Sequence, residues 1–587
     1  MPYRDLQQFV AALERAGELK RVRVEVDPEL EITEIAIRQV LQNGPALLFE
    51  KVKGSRYPLL INAFASQKRI EMAIGRPPAE VGAQIIHFIE ELNPPSPKTL
   101  LRNRKTVRLL MAARLKKARR AIAQEVVEQP NLEALPVLKC WPDDGGRFFT
   151  FSPTLTYNPV NRRSNFGLYR LQIFDKAATG MHWQLGKGGG YHYFEAEQQG
   201  KPLEAAVVVG GDPALMLSAI LPLPEALEEI VFSGLLRTKP LPMVQAKTLN
   251  MRVPANAEFI LEGKVLPEER RMEGPFGDHF GHYSNAAPFP VFHVNTVTRR
   301  RDPIYPATVV GKPPQEDRWM GDAAQEFLNP FLKLIRPEVS DLWAYYEAGF
   351  HNLLVVSVRS RFAKEPLKTA LGLFGEGQLS LTKCIILVGP GVDPRDFTAV
   401  LREVHKHFSA GNDFLLLPRV PLDTLDFTSF KMHLGSKMAL DATPKAGENG
   451  GSWPFDPHSL DLRRLAPEVT DSRLVEETLL AVKVRGGGSD VVRRIASAPE
   501  ARGLKLIAAV SEDINLNDQT SLLWGIFTRF DPARDAFFPE MRFEGAAPLY
   551  RGPLAIDATW KQGYPAPLLM DSAIVDKVNK RWNAYWT

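Results

Sequence analysis

Residues 271–283 read Arg271-Met272-Glu273-Gly274-Pro275-Phe276-Gly277-Asp278-His279-Phe280-Gly281-His282-Tyr283. Gly274-Pro275 and Gly277 stand between the two carboxylates, so the stretch is not helical. A helix would set Glu273 and Asp278 on different faces; a loop broken by glycine and proline aims both into one pocket. Paired acids in a shared, partly dry site push their pKa values apart, which suits one of them for proton donation. A surface turn with two solvated acids has the same composition, so the stretch alone leaves both readings open.

Outward from this loop the chain reads as strand. Glu258-Phe259-Ile260-Leu261 lies before it and Val291-Phe292-His293-Val294 after it. Phe148 to Phe151, Leu171 to Phe174 and Ala205 to Val209 are further candidate strands divided by turn residues. The middle region, residues 131–320, is therefore expected to be mostly antiparallel sheet. Its Gly186-Lys187-Gly188-Gly189-Gly190 run permits close backbone approach to a phosphate, with Lys187 as the cation. The run fits neither the Walker nor the Rossmann spacing, which argues against a nucleotide hydrolase.

The first region, residues 1–130, reads as an α/β domain. Leu6, Phe9, Val10, Leu13 and Leu19 have helical spacing. Leu19 to Val24 alternates like a strand, Ile32 to Leu41 is helical, and Ala46 to Phe49 and Leu59 to Asn62 read as short buried strands. Arg102 to Arg120 reads as a basic helix; a solvated face or a subunit interface is the expected use, ahead of nucleic acid or an anionic membrane.

A third region, residues 321–445, carries a strand at Leu381 to Val388, a helix at Asp396 to Phe408 and a strand at Phe414 to Leu417, read as a βαβ unit. The pattern then repeats over residues 446–570. Leu504 to Val510 matches the strand ending at Val388, Asp518 to Phe530 the helix from Asp396, and Ile556-Asp557-Ala558-Thr559-Trp560-Lys561 echoes Leu440-Asp441-Ala442-Thr443-Pro444-Lys445. Ala446 to Pro457 reads as the linker. The second copy lacks the Gly435-Ser436-Lys437-Met438 loop, so a structural role is expected of it. Residues 571–587 place Ile574, Val575, Val578, Trp582 and Tyr585 at helical spacing.

A chain of 587 residues with 44% hydrophobic content holds several domains. No apolar run is long enough to span a membrane, no signal peptide is visible at Met1 to Leu6, and two cysteines, Cys140 and Cys384, make no disulfide framework. A cytoplasmic protein is expected. The net charge of +5 suits anionic small molecules and gives no case for nucleic acid.

Three separated motifs occur in order: Ser164-Asn165-Phe166-Gly167-Leu168-Tyr169-Arg170, the acid-bearing loop, and Leu434-Gly435-Ser436-Lys437-Met438-Ala439-Leu440-Asp441-Ala442-Thr443. Together they resemble the UbiD family of decarboxylases, over most of the chain to about residue 445. Phe49 to Asn62 and Leu138-Lys139-Cys140-Trp141-Pro142 resemble most the branch of menaquinone-biosynthesis decarboxylases.

The resemblance implies an α/β multi-domain fold with a central split β-barrel that binds prenylated flavin mononucleotide. It implies that Leu168, Tyr169, Arg170, His182, Trp183, Gln184, Lys187 and Gly188 cradle the cofactor, with Lys437 reaching it or its phosphate. Asn165 and Glu229 correspond to the ligands of a divalent ion, Mn²⁺ or Mg²⁺, with Glu228 as the neighbouring alternative and room for K⁺. Many relatives carry a ligand-type histidine where this chain has Gly186, and His182 and His192 are the histidines nearby. Arg170, Glu273 and Asp278 are implied as the catalytic trio: Arg170 for the substrate carboxylate, Asp278 as proton donor, Glu273 to orient the network.

The implied reaction is reversible, non-oxidative decarboxylation of an aromatic or α,β-unsaturated acid. A dihydroxynaphthoic acid of the futalosine route to menaquinone is the favoured substrate, and another aromatic or heteroaromatic acid the second choice. The cofactor would come from a separate flavin prenyltransferase. A C-terminal helix passed to a neighbouring subunit is implied, hence a homo-oligomer, dimer or hexamer; docking of that helix on its own domain is the alternative. An ordinary flavin oxidoreductase and a non-catalytic component of a carboxylase complex are the rival functions, and the intact trio argues against both.

Overall fold

The computed structural model describes residues 3–92, 96–184, 188–223, 227–445 and 460–587. The expected linker, Ala446 to Pro457, lies outside the described residues. The chain divides into two compact units: Met1–Phe327 together with Pro567–Thr587, and Leu328–Ala566.

In the first unit the helix Leu6–Arg15 starts at Asp5, whose carboxylate accepts the Gln8 N–H. The helix Glu31–Leu41 follows. Leu19–Val22, Ala46–Phe49, Leu59–Ile61 and Tyr305–Pro306 form one small mixed sheet. The basic helix expected over Arg102 to Arg120 is shorter than that. Pro97–Arg102 and Arg104–Leu110 are separate helical turns, and Leu115–Lys117 is a strand. Parallel pairing with Leu241–Met243 takes the backbone of 115–117 out of the helix.

The middle region is an antiparallel sheet of seven strands. Ala178–Gly180, Ala287–Arg299, Phe259–Glu273, Leu203–Val209, Pro153–Tyr157 and Ser164–Leu168 lie in that order, and Val126–Glu128 pairs with Ala287–Arg299. Phe259, Leu261 and Val265 point into a core with Val207, Phe292 and Val294. The strand Phe259–Glu273 is far longer than the expected strand Glu258 to Leu261. Pro267 has no N–H for the ladder, and the register jumps from Val265 opposite Phe292 to Arg270 opposite Pro290, with Glu268 at φ +61° inside the bulge. Pairing then resumes and ends with Glu273 opposite Ala287. Gly188, Gly189 and Gly190 of the glycine run open a helix, Gly188–Gln198.

In the second unit two five-stranded sheets have the same strand order. One runs Val339–Ala344, Leu353–Val358, Cys384–Val388, Leu434–Ala442, Phe414–Pro421; the other runs Val469–Val475, Leu479–Val484, Leu506–Val510, Leu554–Ala558, Ala536–Phe537. The parallel neighbour of Cys384–Val388 is Leu434–Ala442, and Phe414–Pro421 is an antiparallel edge strand, so the expected βαβ unit closes one strand later. The duplication extends to side chains. Thr443 donates to Asp441 and Thr559 to Asp557, each through both backbone N–H and hydroxyl. Lys445 and Lys561 donate to the carbonyls of Asp441 and Asp557 and face Asp413 and Asp535.

The C-terminal helix Ser572–Arg581 lies against Glu31–Leu41 of the same chain, the alternative of the two readings. Glu31 is buried and accepts from Tyr585, while Lys577 and Arg581 pair with it. Burial pushes the Glu31 carboxyl up, but the hydrogen bonds from Tyr585, the Asp27 N–H and Lys577 outweigh it and hold it below its ordinary value. A depressed carboxylate stabilises the fold fully above its unfolded pKa and loses that effect as pH falls through the folded value. Arg581→Met is therefore expected to cost about 1–2 kcal/mol at pH 7, a figure discounted because Arg581 is partly in solvent. The deficit should shrink below about pH 4, as followed by calorimetry across a pH series.

Candidate active site

The three residues expected to act together do meet. Arg170 follows the strand Ser164–Leu168, Glu273 ends the long strand Phe259–Glu273, and Asp278 follows the short strand Phe276–Gly277. Arg170 bridges the two acids. Its Nε lies 3.0 Å from Glu273 Oε1 and its Nη1 2.5 Å from Asp278 Oδ2. The guanidinium also sits 4.7 Å from the centre of the Phe276 ring. The Glu273 side chain is 0% exposed, and a Cβ on Gly180 would stand 3.0 Å from its Cγ.

Two histidines close the chain of charges. His182 Nδ1 donates to Glu273 Oε2 at 2.6 Å, and His279 Nδ1 lies 2.8 Å from Asp278 Oδ1, which also accepts the His279 N–H. Burial raises the Asp278 carboxyl, but the hydrogen bond and charge of His279 and the charge of Arg170 outweigh it and hold it well below the carboxylate range. Glu273 is lowered by the same contest, burial against Arg170 and His182. His182 is lowered by burial and by the Arg170 charge. The order His279–Asp278–Arg170–Glu273–His182 is thus a continuous array, buried at Arg170 and Glu273 and partly open at His279, with one acid at each side of the cation.

The loop between the acids is held from outside. The backbone N–H groups of Gly274 and Gly277 donate to Gln172 Oε1 and Asp144 Oδ1, and Gly145 N–H donates to the Pro275 carbonyl. The other Asp144 oxygen accepts the Cys140 and Trp141 N–H groups. Burial drives Asp144 up to about 7. A Cβ on Gly277 would come within 2.2 Å of the Trp141 ring. Gly277→Ala is therefore expected to destabilise the fold by about 1–3 kcal/mol and to lower turnover by moving Asp278, read from melting curves and initial rates.

Of the expected cofactor residues, Leu168, Tyr169, His182, Trp183, Gln184 and Gly188 lie close in the chain to members of this array or to one another. Tyr169 accepts the Gly189 N–H and donates to Asn165 Oδ1, and Cβ atoms on Gly188 and Gly189 would collide with Asn165, Trp183 and Tyr169. His182 N–H donates to the Arg170 carbonyl, and the Gln184 carbonyl lies against Gly190. Leu168 is half-buried at the end of its strand. Three buried polar atoms, Arg170 Nη2, His182 Nε2 and Trp183 Nε1, have no hydrogen-bond partner among the described residues. Glycine backbone packed close to its neighbours, with buried polar atoms open to a further partner, fits the requirements of a bound flavin. Lys187 and Gly186 lie outside the described residues.

Glu229 begins the helix Glu229–Arg237 and accepts the Phe166 N–H at 3.0 Å, one residue from Asn165. Burial pushes its carboxyl up to about 7. Glu228 accepts from Ser164. Asn165 and Glu229 supply hard oxygen donors of the kind that Mn²⁺ and Mg²⁺ take. Among the described residues no group of three or more His, Cys, Asp or Glu gathers as a metal cluster. His192 instead bonds Thr156, 2.9 Å away. Lys437 lies in the second unit, where its ammonium donates to the carbonyls of Ser380 and Thr382 and sits over Phe374.

Sequence reasoning gave no role to His279, Phe276, Gln172 or Asp144. His279 was visible as the neighbour of Asp278. Asp144 was signalled by Asp143-Asp144-Gly145-Gly146, a second acidic turn that only the fold brings beneath the first.

Residues 114–313 match the family model of the 3-octaprenyl-4-hydroxybenzoate carboxy-lyase Rift-related domain. Residues 10–89 match the corresponding N-terminal domain, and 318–442 with 458–553 the C-terminal domain. A Chlamydia pneumoniae protein named as one of the subunits of 4-hydroxybenzoate decarboxylase is 35% identical, over 99% of this chain and 98% of its own. The closed form of vanillic acid decarboxylase from Sedimentibacter hydroxybenzoicus superposes with a TM-score of 0.68 at 26% identity, covering 78% of this chain and 96% of that one. The UbiD-class enzyme HmfF from Pelotomaculum thermopropionicum, in complex with FMN, superposes at 0.63 and 26% identity, over 78% and 99%. An evolved dimeric form of that enzyme is known in complex with prenylated FMN.

Proposed function

The chain belongs to the UbiD family of carboxy-lyases, aromatic-acid decarboxylases that use prenylated FMN, and from that premise we propose that its substrate is 1,4-dihydroxy-6-naphthoate, decarboxylated on the futalosine route to menaquinone. The resemblance of Phe49 to Asn62 and Leu138 to Pro142 to that branch supports the substrate. The buried Glu273–Arg170–Asp278 bridge carries the reaction type. A second reading, a hydroxybenzoate as substrate, is favoured by the name of the Chlamydia pneumoniae relative.

Loss of CO₂ from an sp² carbon leaves electrons that need a sink, and prenylated FMN supplies it when bound. Arg170 is proposed to take the substrate carboxylate through Nη2, its unsatisfied donor. Glu273 holds the guanidinium in place from the rigid end of a strand. Asp278 gives the proton that replaces CO₂. In the unliganded site Asp278 is ionised, because His279 and Arg170 both stabilise its charge. A carboxylate arriving at Arg170 shares that cation and adds a like charge beside Asp278, which raises its pKa toward proton uptake. Asn165 and Glu229 are the proposed ligands of a divalent ion beside the cofactor phosphate.

The test is to co-produce the protein with a flavin prenyltransferase, release the cofactor and identify it by mass spectrometry. Prenylated FMN, followed by CO₂ release from dihydroxynaphthoate in preference to hydroxybenzoates, is the expected result. Preference for 4-hydroxybenzoate would select the second reading. Retention of unmodified flavin alone would overturn the assignment of the acid pair.

A further inference from the structure

The second α/β copy ends its edge strand in a bare hairpin. Glu540–Glu544 pairs antiparallel with Ala547–Arg551 across the two-residue turn Gly545-Ala546. The two strands belong to no other sheet. Met541 is 56% exposed and Phe543 67%. Alternation puts both on one face, level with Tyr550 and Pro548 across the ladder, and Tyr550 roots that face in the core against Phe414 and Phe538. In the first copy the corresponding hairpin carries residues 422–433 beyond its edge strand, and Leu422, Leu425 and Phe427 from that loop are buried. No such cover is present over Met541 and Phe543 among the described residues.

The backbone of this strand is also open. Pro548 has no N–H and stands opposite Phe543, so Phe543 and, two residues away, Met541 direct their N–H and C=O groups away from the partner strand. A free edge of this kind accepts another strand.

We propose that the strand Glu540–Glu544 pairs antiparallel with the same strand of a second copy of this chain, with Phe543 on the two-fold axis. The sequence Glu540-Met541-Arg542-Phe543-Glu544 fits this register. Phe543 meets Phe543 of the partner subunit as a hydrogen-bonded pair, using the backbone groups that point outward. Met541 falls diagonally against the same ring and opposite Gly545 of the partner subunit, which offers no side chain to obstruct it. On the other face Arg542 stands opposite Glu544 of the partner subunit, and the symmetry repeats that ion pair. A register with Arg542 on the axis would set arginine against arginine and Glu540 against Glu544, so charge selects the first arrangement.

Sedimentation of the full chain tests this, since the hairpin is exposed and its substitution leaves the core intact. The wild type should sediment at an even multiple of 65.6 kDa. Phe543→Lys and Arg542→Glu should each halve that mass without lowering the melting temperature. The double exchange Arg542→Glu with Glu544→Arg should restore it. Both native cysteines are buried, so a cysteine placed at 543 is the accessible thiol. Under mild oxidation Phe543→Cys should give a covalent dimer far faster than Leu549→Cys on the other strand of the hairpin. A monomeric wild type, an unchanged mass in Phe543→Lys, failure of the double exchange, or equal cross-linking at 543 and 549 would each overturn the proposal.

Discussion

Arg170→Met is expected to abolish decarboxylation, with a fall of about 10³-fold or more, and to destabilise the first unit by about 3–5 kcal/mol. Both effects have one origin. Arg170 is nearly dry and is the cation between two carboxylates. Its removal leaves Glu273 wholly buried, with Asp278 nearby and His182 as the remaining donor. The sign of the pH dependence then reverses. In the wild type Glu273 is held below its ordinary value, so it stabilises at neutral pH and that effect is lost in acid. In the variant burial and the neighbouring acid raise it, so protonation helps folding. The gap in denaturation midpoint between wild type and variant should narrow from pH 7.5 to pH 5. A gap that stays constant would mean that the cation does not govern Glu273. Arg170→Lys should recover some stability but little turnover, because one ammonium cannot match the fork that reaches both acids and keeps Nη2 for a ligand.

Asp278→Asn is the second large effect: a fall in turnover of about 10²–10⁴-fold with cofactor binding retained. The amide cannot deliver a proton, yet it keeps an oxygen facing Arg170 and is close in size. Exchange of solvent deuterium into the product ring should fall in parallel, and this is the sharper measurement, since it reports proton transfer apart from CO₂ loss. Wild-type activity should decline on the alkaline side as the substrate-loaded Asp278 loses its proton. Full deuterium exchange in Asp278→Asn would transfer the donor role to Glu273 or His279. Asp278→Glu should keep part of the activity, limited by the longer side chain beside His279.

The acid pair was legible because its glycines and proline exclude a helix, leaving a loop that can gather both carboxylates. That Glu273 sits on a strand was not legible. The proline and charged residues Pro267 to Arg271 carry no strand pattern, and a bulge absorbs them only because Ala287–Arg299 is present to resume the ladder. The same kind of long-range pairing converted Leu115–Lys117 from expected helix to strand and made Phe414–Pro421 antiparallel. The duplication was visible through Asp441-Ala442-Thr443 and Asp557-Ala558-Thr559, because a hydrogen-bonded lock between side chain and backbone constrains sequence directly. The roles of His279 and Asp144 were not legible although both residues were in view: adjacency does not say that the His279 ring turns back onto Asp278, and only the fold brings Asp144 to the Gly277 N–H.

The loop that carries Asp278 has one more attachment. Gly281 accepts the Leu568 N–H and His282 bridges Pro567, at the start of the segment that ends on Glu31. In the gene, a stop codon placed just before residue 567 would therefore remove a backbone partner of the loop that holds Asp278, the proposed proton donor, together with the side chains that neutralise Glu31. Nonsense alleles near that point should behave as loss-of-function alleles even though Arg170, Glu273 and Asp278 are all still encoded. A screen that tolerates truncation anywhere after the trio would misjudge where this chain can be cut.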